Sequence, residues 1–377
     1  MGEHADRLTQ LATDPTACIT DSDVIQILAT TKVSNHARLF SASLCDKLNR
    51  MDAIPFVVFC RYHLGLPPLI STVVSEMDAS SGCQLAICPI AAPVSPNRLV
   101  DCQFDHSVAC MCGKTQRPRC HSLFNQVWRS SAIKAGGTYR TEPSSRSILE
   151  TTVPDHILRN MLPKRPDAAG DLRQEAAQTL YSTYLTTRVE DRGPILEQLN
   201  ALASPAPCPK ALLRVDCQML APCGSSLLMD WTTVHETAPS YRKQSLDWHL
   251  MHSGCHFVPA PNKTSSIVVT EAQLNKHRKY RPLMHLLKLQ KLQGQRNLLP
   301  DFCAPVVSHL GEFSTDVYKA INWLAPVAYR NYRANKTLLP FPLKSMLARY
   351  RRETLDSLAV ASAKGCAMML MASGNPL

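Results

Sequence analysis

Residues 211–236 constrain this chain more than any other stretch. Two apolar runs, 211–220 and 227–234, flank Pro222-Cys223-Gly224-Ser225-Ser226. Apolar runs on either side of a Gly- and Pro-bearing break predict two strands joined by a tight turn. An acid sits inside each run, Asp216 and Asp230, and their midpoint is residue 223, in the turn. Simple hairpin pairing therefore sets the two carboxylates directly opposite each other. Like charges at paired positions repel, and a buried carboxylate without a partner is costly. A divalent cation held between them resolves both problems. Two solvent-facing acids on an exposed hairpin is the plainer alternative.

The chain has 377 residues, room for two or three domains, with 45% hydrophobic and 19% charged residues. That composition is globular, not disordered. Lys and Arg number 41 against 30 Asp and Glu, a net charge of +11, which favours anionic partners such as nucleic acid or an acidic membrane face. The N-terminus opens polar with no apolar segment after it, and the longest apolar runs are too short to span a bilayer, so a soluble intracellular protein is expected. The 15 Cys then argue for metal binding by a subset, with the rest as buried thiols, not for a disulfide scaffold. Cys112-Gly113-Lys114-Thr115 is no phosphate loop, because Val108 stands where the upstream Gly is needed.

Taken in order, residues 1–64 predict helices near 21–31, 36–50 and 54–63, stopped by Gly65, Pro67 and Pro68. Residues 69–122 lack periodicity but offer Cys83, Cys88, Cys102, His106, Cys110, Cys112, Cys120 and His121. Either a structural zinc replaces a core there, or these are scattered core thiols. One amphipathic helix is expected over 122–140, with Leu123, Val127 and Ile133 apolar and Gly136-Gly137 stopping it. Residues 171–203 should be helical with a break at Gly193-Pro194, and 237–268 an irregular insertion. Thr270 is the expected cap of a long helix, with Gln273 as its capping-box partner and Pro282 as a kink.

That helix carries Lys276, Arg278, Lys279, Tyr280 and Arg281, a denser basic cluster than solvation requires. Residues 300–325 read as a short strand, a turn at Gly311 and a helix. Between 329 and 352 there are seven basic residues and no acid, with Arg330, Arg333, Arg351 and Arg352 interleaved with Tyr329, Tyr332 and Tyr350. Such a pattern suits nucleic-acid contact, and a basic surface helix accounts for it equally well. Residues 345–371 form an Ala- and Met-rich packing helix.

The order of these pieces resembles the C-terminal region of non-LTR retrotransposon polyproteins, where a Cys/His zinc element precedes a restriction-like endonuclease of the PD-(D/E)XK class. Tyr62-His63-Leu64-Gly65-Leu66-Pro67, Asp105-His106 through Cys110, and Arg119-Cys120-His121 look like successive family motifs, the last one residue out of register. Gly137 through Glu142-Pro143, Leu228 through His235, Glu271-Ala272 with Lys276 and Lys279-Tyr280, and Phe302, Pro305 and Gly311 continue the series. The similarity runs from roughly residue 50 to 370. Three departures stand out. The family's Arg/Lys-Pro-Asp triplet is Arg214-Val215-Asp216 here, while Arg165-Pro166-Asp167 has the letters but lies far from Asp230. The first Cys pair is widened, and no reverse transcriptase core is present.

The resemblance implies an α+β fold: a helical N-terminal segment (1–68), a zinc-stabilised loop region (69–122), and an endonuclease domain (123–325). That domain would hold a short mixed sheet flanked by helices, with insertions near 168–208 and 242–268, and a basic helical segment (326–377) would follow. It implies a metal-dependent DNA endonuclease, nicking target DNA in the nucleus to prime reverse transcription, or a decayed, zinc-containing nucleic-acid-binding protein. Asp216 and Asp230 would hold Mg²⁺ or Mn²⁺. Thr232 stands where a D/E-x-K lysine would be, so Lys276 or Lys279 would supply it, with Tyr280 binding phosphate or bracing the lysine. Cys83, Cys88, His106 and Cys110 would hold Zn²⁺, with Cys102 as an alternative ligand. Arg278, Arg281, Arg330, Arg333, Arg351 and Arg352 would contact nucleic acid. DNA, element RNA and a reverse transcriptase acting in trans are the implied partners, with no membrane.

Overall fold

A computed structural model of the chain describes residues 47–63, 86–87, 99–100, 116–162, 171–202, 212–238, 240–253, 266–334 and 342–372. In chain order the elements are α1 (Ala53–His63), β1 (Ala86–Ile87), β2 (Leu99–Val100), α2 (Gln116–Lys134), β3 (Thr138–Thr141), α3 (Ser145–Leu149), α4 (Asp155–Met161), α5 (Asp171–Thr186), α6 (Gly193–Leu202), β4 (Cys217–Leu220), β5 (Ser226–Met229), β6 (Thr232–Val234), α7 (Arg242–Ser253), α8 (Ile267–Leu292), β7 (Asp301–Cys303), β8 (Val306–Ser308), α9 (Thr315–Ala334) and α10 (Leu343–Met371). The architecture is mixed helix and strand, as an α+β class requires.

The central sheet runs β3-β4-β5-β7. Its first three strands are antiparallel and β7 is parallel to β5, while β6 and β8 make a separate parallel pair. Alternation along the strands sorts the core. Cys217, Met219, Leu227 and Met229 pack toward Phe124, Trp128, Leu324 and Leu358 on one side. Leu228 packs with Val215, Tyr280, Leu283 and Leu287 on the other. The sheet is thus covered on one face by α2, α9 and α10, and on the other by α8 together with α3 to α6.

Two connections fix the sheet's working end. Helix α2 stops at Gly136, whose φ of 76° is the left-handed conformation that favours glycine. The N–H groups of Gly136 and Gly137 close back on the carbonyls of Ile133 and Ala132. A Cβ on Gly137 would lie 2.7 Å from the Leu220 carbonyl oxygen, so only glycine lets the chain swing from α2 into β3 beside β4. On the other face, α8 starts at Ser266, whose hydroxyl accepts from Val269 N–H at 3.4 Å.

Several local expectations are corrected. The α8 cap is Ser266, not Thr270, and Gln273 hydrogen-bonds Thr315 across to α9 instead of closing a capping box. Helix α2 begins at Gln116, so Cys120 and His121 lie on a helix, and residues 138–140 belong to β3, not to that helix. Ile133 is exposed at 57%, because only one stripe of α2 meets the core. The break after α5 falls at 187–192, and Gly193-Pro194 opens α6, where Pro at the first turn costs nothing. The stretch 237–268 holds α7, and α9 continues across residue 325 to Ala334. Expectations for 21–31, most of 36–50, and the Cys/His stretch that holds Cys83, Cys88, Cys102, His106 and Cys110 lie outside the described residues, as does Asp167.

Candidate active site

The hairpin pairs Cys217 with Met229 through Leu220 with Ser226, a register whose continuation faces Asp216 with Asp230. The carboxylates do not sit inside strands, as the apolar runs suggested. Asp216 immediately precedes β4 and Asp230 immediately follows β5. There the ladder opens. Asp216 N–H still donates to Met229 O at 2.9 Å, while Asp230 N–H turns to Cys303 O at 3.3 Å and the chain departs into β6. Ending the strands at the acids leaves both side chains at the sheet's end, where groups from both covering layers can reach them.

Helix α8 supplies two lysines. Lys276 Nζ lies 2.5 Å from Asp230 Oδ2 and 3.4 Å from the Trp231 carbonyl oxygen. Lys279 Nζ lies 3.4 Å from the same carboxylate oxygen and donates to Tyr280 Oη at 3.0 Å. Tyr280 Oη in turn donates to the Arg214 carbonyl, so this side chain braces Lys279 and the strand edge at once. Burial raises the Tyr280 hydroxyl well above its usual range, which keeps it a neutral donor. Burial lowers the Lys279 ammonium; Asp230 opposes that and the Lys276 charge reinforces it. Asp230 is buried to 3%, so the two ammonium groups neutralise an otherwise unsupported charge.

Asp216 is held from the opposite layer. His121 of α2 places Nε2 at 3.1 Å from Asp216 Oδ1, and Trp231 N–H donates to Oδ2 at 2.8 Å. His121 Nδ1 lies 3.4 Å from Asn125 Nδ2, and Asn125 Oδ1 accepts from Tyr139 Oη at 2.5 Å. One assignment satisfies the whole chain: Tyr139 donates to Asn125, Asn125 donates to His121 Nδ1, and His121 Nε2–H donates to Asp216. The His121 ring also stacks on Trp231 with centroids 4.7 Å apart. Burial raises the Asp216 carboxyl above its ordinary value; His121 opposes this, and the Asp230 charge adds to the rise.

The sequence-derived acids and lysines thus come together, with Tyr280 among them. Arg278, Arg281, Arg330, Arg333, Arg351 and Arg352 are all exposed. Thr232, two residues past Asp230, is in β6 of the other sheet, where its hydroxyl donates to its neighbour's carbonyl. His121 is absent from the sequence-derived site. Its signal was present: His121 and Asn125 stand four apart, one above the other on a helix, at the one motif that is out of register.

The donor set fits a hard dication. Mg²⁺ is held by one or two carboxylates together with substrate phosphate and water, and Asp216 and Asp230 are two mutually repelling carboxylates at one end of a sheet. Among the described residues, no group of three or more His, Cys, Asp or Glu side chains is arranged to hold a metal ion. No helix among them is long and apolar enough to cross a membrane. Compared with family models, characterised proteins and solved structures, the chain gives no match.

Proposed function

We propose that this chain is a metal-dependent nuclease of the restriction-like class, acting on DNA, with Asp216, Asp230, Lys276 and Lys279 as its site. The observation that carries the reading is the convergence of two lysines from α8 on Asp230, which the hairpin register faces with Asp216. Two acids and a lysine on neighbouring elements are what hydrolysis of a phosphodiester needs. Mg²⁺ or Mn²⁺ bound by the two carboxylates would supply a water activated near neutral pH and charge neutralisation at the phosphate.

The protein's own groups do the rest. With Asp230 engaged elsewhere, the two ammonium groups would be released to the phosphate oxygens, where developing charge is strongest. Lys279, lowered by burial, is the lysine better suited to exchange a proton with the attacking water. Asp216 is kept oriented by Trp231 N–H and His121, and Tyr280 keeps Lys279 from swinging to solvent. The exposed arginines of α8, α9 and α10 would supply phosphate contacts along the duplex. The zinc element, nuclear location and retrotransposon origin belong to the same reading and rest on the sequence resemblance alone.

One observation favours a second reading, a binding protein with a silent site. Asp230 is already neutralised by two lysines, a self-sufficient arrangement. A supercoiled-plasmid nicking assay separates the two. The nuclease reading expects relaxation in Mg²⁺ or Mn²⁺ that EDTA and Asp230→Ala each abolish. Retained DNA binding with no nicking in any metal supports the binding protein.

A further inference from the structure

Beside the acid pair lies a cavity of about 230 Å³ between α2, α10 and β6. His121, Phe124, Trp231, Thr232 and Thr233 form the wall nearest the site. A volume of this size holds far more than one water, roughly 30 Å³, yet lies below the roughly 300 Å³ at which drug-sized sites begin. It suits one planar ring system. The wall has the matching chemistry: the stacked rings of His121 and Trp231, the Phe124 ring, and two threonines. Thr233 is exposed, so the cavity opens to the surface there.

Trp231 joins the cavity to the acid pair. The Trp231 backbone N–H holds Asp216, and its ring stacks on the histidine that holds the same carboxylate. Whatever enters the cavity therefore sits one side chain away from the acid pair.

We propose that this cavity receives a single nucleobase, unstacked from bound nucleic acid next to the phosphate at the acid pair, its ring lying against the aromatic wall of His121, Phe124 and Trp231. Extrusion of one base costs a few kcal/mol and is offset by stacking and edge hydrogen bonds. The inference rests on the nuclease reading for the presence of nucleic acid at the site, and its test does not depend on cleavage.

The chain has four tryptophans, so incorporation of 5-fluorotryptophan gives four ¹⁹F resonances, and Trp231→Phe identifies that of Trp231. The full chain, in EDTA, is titrated with each deoxynucleoside 5′-monophosphate and with deoxyribose 5-phosphate as a baseless control. The expected result is a shift of the Trp231 resonance alone, with one or more nucleotides and not with the control. Thr233→Phe, placed at the exposed mouth where folding is not at stake, should remove that shift. No shift with any nucleotide at millimolar concentrations, an equal shift with the baseless control, or a shift that survives Thr233→Phe overturns the proposal. A base-dependent shift in a protein that never nicks plasmid fails the nuclease reading and leaves the cavity assigned. Nicking without the shift does the reverse.

Discussion

Replacing Asp216 by Asn should make this protein more stable at neutral pH while disabling it. The Asp216 side chain is 17% exposed and faces a second carboxylate across the hairpin. Burial, and then the Asp230 charge, raise its pKa, with His121 pulling the other way. A folded-state pKa above the unfolded value means that the folded form binds the proton more tightly. Its ionised form is therefore a cost, full above the folded pKa and relieved as pH falls toward the ordinary value near 3.8. A tenfold tighter hold on the proton corresponds to about 1.4 kcal/mol.

Asn removes that charge but keeps an acceptor for Trp231 N–H, and weakens the contact with His121 by roughly 1 kcal/mol. The net expectation at pH 7.5, for a tenfold difference, is a gain of about 0.4 kcal/mol, or roughly 1 °C in Tm for a chain this long. Thermal melts of wild type and Asp216→Asn at pH 7.5 and 4.5, in EDTA, check this. The gain should shrink or reverse at the lower pH. Mg²⁺ should raise the wild-type Tm and leave the variant unmoved. A variant less stable than wild type at pH 7.5, by an amount that pH does not change, would refute the electrostatic reasoning.

Other perturbations follow from the same geometry. Burial pushes the His309 imidazole down to about 4 against the Glu236 charge, so as pH falls from about 6.5 toward 4 the unfolded chain takes up a proton that the folded imidazole does not, and stability falls. That contributes roughly 3 kcal/mol of acid sensitivity, which His309→Gln should flatten in urea titrations across that range. Burial raises the Asp316 carboxyl, but His277 at 2.5 Å, Ala304 N–H at 2.8 Å and Lys319 at 2.9 Å outweigh it and hold it below its ordinary value. That contribution is present above about 3.8 and lost as pH falls through the folded pKa. Asp316→Ala, which orphans the Ala304 N–H and frees α8 from α9, should cost about 2–4 kcal/mol in a chemical melt at pH 7. Gly137→Ala drives a methyl against the Leu220 carbonyl and should destabilise by about 1–3 kcal/mol. Gly193→Ala, with open space around it, should be nearly neutral in the same measurement.

Much of the central hairpin was legible because its signals are local. Two apolar runs and a Gly-bearing turn fix a register by symmetry about residue 223, and the observed pairing of Cys217 with Met229 keeps it. The break of the second strand at Asp230 was not legible, since Trp231 and Thr232 have the letters of a continuing strand. What ends it is tertiary: Asp230 N–H and Thr232 N–H go to Cys303 and Pro305 carbonyls from a distant segment. Likewise, Lys276 and Lys279 could be named from their helix, while His121 carried only its local spacing to Asn125, because its place against Asp216 depends on α2 crossing the sheet from the other side. Helix α7 was missed because Arg242 through Ser253 lacks an apolar stripe strong enough to stand out from a loop. Ser266 outcompetes Thr270 as a cap because its backbone N–H is also held by Glu312, a partner 46 residues away.

Whether the acid pair cuts is the central question. The decisive measurement is the initial rate of supercoiled-plasmid nicking across a Mg²⁺ titration, for wild type, Asp216→Asn and Asp230→Asn, each shown folded by its melt. A wild-type rate that rises from zero to saturation with metal, and two variants at background throughout, is the predicted result. Nicking by Asp230→Asn at the wild-type rate would contradict it.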